Sequence, residues 1–135
     1  MSNQLFNKGR EGFLDGQISW SSDNIKVVAV DSADYTLDIA THQFLSSIPL
    51  AARVATSANL TGKTITDGVA DADNVTLSGV TGDQFEYLIL YQDTGVEGTS
   101  RLIANIDTAT GLPTTPNSGD IQIQWADTAD KIFKL

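Results

Sequence analysis

Hydrophobic positions near the amino end recur at helical spacing: Leu5, Phe6, Gly9, Phe13 and Leu14 fall on one side of a short helix that Asp15-Gly16 stops. Gly9 and Gly12 each cost about 1 kcal/mol relative to Ala in an isolated helix, so this segment needs packing to hold its shape. Beyond Gly16 the period changes to two. Gln17-Ile18-Ser19-Trp20 alternates polar and apolar, residues 21–24 read as a turn, and Ile25-Lys26-Val27-Val28-Ala29-Val30 is a β-branched run. Together they predict a hairpin with one buried strand. Residues 31–50 read as a long connection with a helical turn around His42-Gln43-Phe44-Leu45, ended by Pro49. Strand patterns follow over 53–58, 63–66, 75–78, 85–91, 101–106, 121–125 and 132–135, with turn residues between them. The 85–91 run is apolar on both faces and predicts a central strand, whereas 121–125 alternates and predicts one wet face. Many short strands without alternating helices point to a mainly β chain, a single antiparallel β-sandwich or partly open barrel with a short N-terminal helix. The expected organisation is an N-terminal helical arm over 1–16 and a β-sandwich over 17–135, one domain overall.

Composition narrows the chemistry. The 135 residues are 41% apolar, enough to build one core, and the absence of cysteine excludes disulfides, a thiolate nucleophile and Cys-ligated metal. Seventeen acidic residues against eight basic ones give a net charge of -9 with no run of like charges. Such a surface repels phosphate backbones, and no window concentrates Lys and Arg, so nucleic acid is not an expected partner. The first 14 residues differ: Lys8 and Arg10 against Glu11 leave them at +1 and the remainder at -10. No apolar stretch approaches the ~20 residues that span a bilayer, and Met1-Ser2-Asn3-Gln4 does not open a secretion signal. The expectation is a soluble chain, made in the cytoplasm, with no membrane contact.

Candidate sites are sparse. Gly62-Lys63-Thr64 resembles the end of a phosphate loop, but Ser57 stands where the motif requires Gly, and the following residues read as a strand and turn. Asp67, Asp71, Asp73 and Asn74 offer hard oxygen ligands for Ca²⁺, yet they lack the glycine and glutamate of an EF-hand, and Asp and Asn are ordinary turn formers. His42, the one histidine, has no recognisable nucleophile motif to serve. Trp20, Tyr35, Tyr87, Tyr91 and Trp125 could stack on sugar rings, but most fall within predicted strands, where aromatics pack cores. No reactive group arrives with its activator, so neither enzymatic activity nor a cofactor is expected.

Asn7-Lys8-Gly9, Phe13-Leu14-Asp15-Gly16-Gln17-Ile18-Ser19-Trp20, Ile25-Lys26-Val27 with Val30-Asp31, and Asp34-Tyr35-Thr36 together resemble the opening of a family of small virion proteins of tailed bacteriophages. Downstream, Phe44-Leu45, Ile48-Pro49, Ala52-Arg53-Val54-Ala55-Thr56-Ser57, Leu60-Thr61-Gly62-Lys63-Thr64, Asp93-Thr94-Gly95, Thr110-Gly111-Leu112-Pro113 and Lys131-Ile132-Phe133-Lys134-Leu135 continue the likeness, which covers essentially the whole chain. The resemblance implies a virion structural protein, similar in kind to the capsid decoration or cement proteins that sit on the head as trimers and stabilise it. Its implied partners are the major capsid protein and further copies of itself, as a homotrimer. A tail or baseplate component, such as a module that binds host carbohydrate, is the alternative. Docking would fall to the arm, through Leu5, Phe6, Phe13 and Leu14 with Lys8 and Arg10, while a strand edge at 132–135 would pair with a neighbour.

Overall fold

The structure, a computed structural model, describes residues 3–108, 112–125 and 131–135. Three antiparallel sheets and one short helix form a sandwich-like body that does not close into a barrel, as the strand pattern predicts. In chain order the elements are β1 (Gln4–Leu5), α1 (Asn7–Leu14), β2 (Ile25–Val30), β3 (Arg53–Thr56), β4 (Thr64–Thr66), β5 (Val69–Asp71), β6 (Val75–Leu77), β7 (Tyr87–Gln92), β8 (Leu102–Ile106), β9 (Ile121–Ile123) and β10 (Phe133–Lys134). Two 3₁₀ turns, Leu45–Ser47 and Leu50–Ala52, interrupt the long connection. The largest sheet has the order β1-β8-β7-β2-β3; the others are β10-β5-β4 and β6-β9.

The central strands β2 and β7 are apolar on both faces because both faces are covered. On one side Ile25, Val27, Ala29, Leu88 and Leu90 join Ile18, Trp20, Ala70, Leu77, Phe85 and Ile123 in a cluster closed by the two smaller sheets. On the other, Val28, Val30, Ile89 and Tyr91 meet Phe6, Tyr35, Leu45, Ile48 and Ala52. The connection over 31–52 is therefore a packed layer. Arg53 fixes it to the sheet: its guanidinium donates to the carbonyls of Ile48 (3.0 and 2.6 Å) and Leu45 (3.0 Å) and pairs with Glu97 (2.6 Å).

Three local expectations are corrected. Residues 17–20 form a turn rather than a strand: Ser19 N donates to Asp23 Oδ2 at 2.7 Å and Asp23 N to Ser19 O at 3.0 Å. Ile18 and Trp20 are buried alternately with polar neighbours, which reproduces a strand's period without a ladder. The helix begins at Asn7, because Leu5 lies in β1 and pairs with Ala104 of β8. Val69–Asp71, too short to register as a run, is a strand between β4 and β10.

Candidate functional site

The arm is where the sequence places docking, and the structure consumes most of its apolar side internally. Phe6 is fully buried and its N–H donates to Ile103 O at 2.9 Å; Leu5 is buried beside it. Asn3 extends the attachment, its Oδ1 accepting from the N–H groups of Asp107 and Thr108 at 3.0 Å each. Leu5 and Phe6 are thus not available to a partner, because the hydrophobic period of the arm is satisfied by the sheet it borders. Phe13 is half-buried against Phe133, with ring centroids 5.8 Å apart. Lys8 pairs with Glu11 at 3.0 Å. Only Arg10 and Leu14 of the set stand exposed, Leu14 at 85%.

Glycine explains how closely the helix lies on β8. A Cβ at Gly9 would stand 2.7 Å from the carbonyl oxygen of Leu102 and 2.9 Å from that of Ile103, so no larger residue fits there without moving the helix. A hollow of about 560 Å³ opens beside it, between the unpaired edges of β1 and β10, with Asn7, Arg10, Asn105 and Phe133 among its lining. The Oδ1 of Asn105 is buried and accepts no hydrogen bond from the described residues.

The acidic residues singled out by sequence do not converge. Asp71 faces Lys131 at 3.8 Å, Asp73 lies under Gly62 and accepts from Thr61 Oγ1 at 3.4 Å, and Asn74 Oδ1 accepts from Trp125 N at 3.1 Å. A different triplet does: carboxylate oxygens of Asp31, Asp34 and Asp83 lie within 4.8 Å of one another. Asp31 is buried at the end of β2 and accepts from Ala33 N at 2.9 Å, while Asp34 and Asp83 are exposed. Ca²⁺ takes six to eight oxygens, so three carboxylates alone are a partial shell. Sequence had no signal for this triplet, since Asp83 reaches it from the loop between β6 and β7.

His42 is tied to a buried phenol: Tyr35 Oη and His42 Nδ1 are 2.6 Å apart. Burial, reinforced by Asp38 and Tyr87, pushes the Tyr35 hydroxyl above its usual value, and burial with Asp93 pushes Tyr91 up to about 12. No serine or carboxylate is hydrogen-bonded to the His42 ring among the described residues. Three of the five aromatic candidates, Trp20, Tyr35 and Tyr91, are buried, and Tyr87 and Trp125 are half-buried. Trp20 lies in one core cluster, T-shaped on Phe133 at 5.3 Å with its indole N–H on Asp71 O, and Tyr35 and Tyr91 lie in the other. At Gly62-Lys63-Thr64 the chain enters β4, and the Lys63 ammonium donates to Asp23 O, so no phosphate loop forms.

What remains open to a partner is a set of strand edges and isolated apolar side chains. β1 and β3 bound the large sheet, and β4 and β10 bound the three-stranded one. β10 gives one side to β5, with Phe133 opposite Ala70, so the carboxyl-terminal strand is half occupied within the chain itself. Leu14, Leu50, Ile65, Val96 and Leu135 are the large apolar residues most exposed. No helix among the described residues is long and apolar enough to cross a membrane. Comparison with known proteins finds no family model that matches the chain and no curated protein that matches it.

Proposed function

We propose that the protein is a structural component of a tailed-phage virion, a capsid decoration protein that binds the head surface and stabilises it. The observation that carries this reading is a finished core bounded by open strand edges: the two hydrophobic clusters are closed within one chain, yet β3 and β4 present unpaired backbone to their surroundings. The sequence resemblance over the whole chain supports it further. On this reading the partners are the major capsid protein and other copies of the chain, arranged as trimers, and the work is done by contact without bond-making. Docking uses Arg10, Leu14 and the strand edges rather than Leu5 and Phe6, which the protein's own core holds. A chain carrying -9 keeps neighbouring copies from associating indiscriminately before they reach the shell. Many identical sites on one lattice let individually weak contacts add.

Quantitative mass spectrometry of purified particles tests the proposal. Hundreds of copies per head support decoration. A few to several tens of copies would assign the chain to the tail or baseplate instead, and its absence from intact particles would overturn a virion role.

A further inference from the structure

The edge strand β4 carries no charge or proline against pairing. Its three residues, Thr64, Ile65 and Thr66, are all β-branched, uncharged and exposed, with neither Pro nor Lys among them. The hairpin turn at Asp67 and Gly68 has positive φ at both positions (53° and 80°), the type I′ geometry of a two-residue loop. Such a loop is closed by a hydrogen-bonded pair, here Thr66 with Val69, and pairs alternate from there. Ile65 opposite Ala70 is therefore a non-hydrogen-bonded pair, and the N–H and C=O of Ile65 point away from β5, toward the free edge. The side chain of Ile65 stands on the same side as Ala70 and Phe133, its cross-strand neighbours, yet remains 58% exposed.

We propose that β4 is a homotypic contact, in which two copies pair antiparallel through β4 about a two-fold axis at Ile65. A second copy is the occupant because Lys63-Thr64-Ile65-Thr66-Asp67 is complementary to itself when reversed. Two-fold pairing sets Ile65 against Ile65, Thr64 against Thr66 in both directions, and Lys63 against Asp67 in both directions. These are the apolar, Thr–Thr and opposite-charge cross-strand pairs that stabilise a sheet. An unrelated partner requires none of this symmetry, whereas an isologous interface requires all of it. The Lys63 ammonium donates to Asp23 O and keeps two further N–H donors for Asp67 of the neighbour. The outcome is a continuous sheet in which each three-stranded unit extends the other. Pairing over three residues buries far less than the ~1,200 Å² of a stable interface, so the contact is weak in dilute solution and fills when copies are crowded or held side by side. This inference concerns the isolated chain and does not rest on the virion reading.

The absence of cysteine makes the test direct. In the proposed pair the two Cα atoms of residue 65 lie about 5.5 Å apart, within disulfide range, whereas those of residue 64 lie two residues out of register, about 8–9 Å apart and beyond it. Ile65→Cys and Thr64→Cys are oxidised separately at about 1 mM protein, a concentration chosen to populate a weak contact. The expected result is a disulfide-linked dimer that forms from Ile65→Cys at least ~10-fold faster than from Thr64→Cys, with the Ile65→Cys rate falling several-fold when Lys63→Glu is added. Both positions are exposed, so the core is untouched. Equal rates, a faster Thr64→Cys dimer, or an Ile65→Cys protein that stays monomeric would overturn the proposal.

Discussion

Replacing Gly9 by Ala sets two effects of opposite sign against each other, and the structure decides between them. Ala favours an isolated helix over Gly by about 1 kcal/mol, so propensity alone makes Gly9→Ala stabilising. The added Cβ, however, would stand 2.7 Å from Leu102 O, 2.9 Å from Ile103 O and 3.1 Å from Ile103 Cα, all backbone atoms of the strand that supports α1. Relief requires the helix to withdraw by about 0.5–1 Å, a gap that forfeits a quarter to a half of each dispersion contact it opens. Overpacking of this kind costs about 1–3 kcal/mol, which leaves a net loss of up to about 2 kcal/mol after the propensity gain. Gly12→Ala is the internal control: its Cβ would meet the Ile18 side chain at 2.7 and 3.0 Å and the Arg101 stem at 3.3 Å, groups that can rotate aside. Urea unfolding followed by tryptophan fluorescence measures both, because Trp20 is buried against Phe133. With a slope of about 2 kcal/mol per M, the Gly9→Ala midpoint falls by up to about 1 M and that of Gly12→Ala stays nearer wild type. A Gly9→Ala midpoint at or above wild type, or one above Gly12→Ala, would refute close packing of α1 on β8.

Other perturbations probe the remaining contacts. Phe6→Ala empties a fully buried site and is expected to cost about 3–5 kcal/mol in the same unfolding assay, so deleting the arm weakens the fold along with any docking role. Arg53→Met keeps the aliphatic stem but takes the guanidinium donor from the Ile48 carbonyl and leaves that of Leu45 with the Ile48 N–H, a loss of about 1–3 kcal/mol that Arg53→Lys recovers only in part. The Asp93 carboxyl, held below its usual range by its hydrogen bond with Lys26 at 2.9 Å and by the Gly95 N–H, is lower in the folded than in the unfolded chain. Its contribution is therefore present above the unfolded value of ~3.9 and lost as pH falls through the folded one. Stability measured from pH 6 to pH 2 is expected to fall less steeply in Asp93→Asn than in wild type.

The large sheet was legible because its central strands leave little choice: residues 27–30 and 87–91 are apolar at consecutive positions, as a strand covered on both faces requires. Short elements were not. Val69–Asp71 carries one buried side chain, Ala70, and becomes a strand through a hairpin turn and pairing with β10, far along the chain. Residues 17–20 show the converse, alternation that comes from two side chains plugging the core out of a turn. The arm misled for a related reason. Helical spacing identifies an apolar side but not what covers it, and Leu5 and Phe6 are covered by the chain's own sheet. Asp31, Asp34 and Asp83 were invisible because their proximity depends on how the loop before β7 folds back beside the end of β2.

The contacts left to a partner constrain what such a chain can build. On the proposed virion reading, trimers use a three-fold operator and pairing through β4 adds a two-fold one; the two close into a point group where their axes cross and extend as a layer where the axes run parallel. A head surface that holds the axes near parallel would select the layer, which suits a protein whose edges are weak singly and numerous together. Ile65→Lys separates the operators, because a charge at the centre of β4 blocks strand pairing and leaves every other edge intact. Concentration-dependent growth that persists in Ile65→Lys would place the lateral contact elsewhere, with β3, Leu50 and Val96 the next surfaces to test. Growth that stops at a fixed small oligomer assigns that contact to β4.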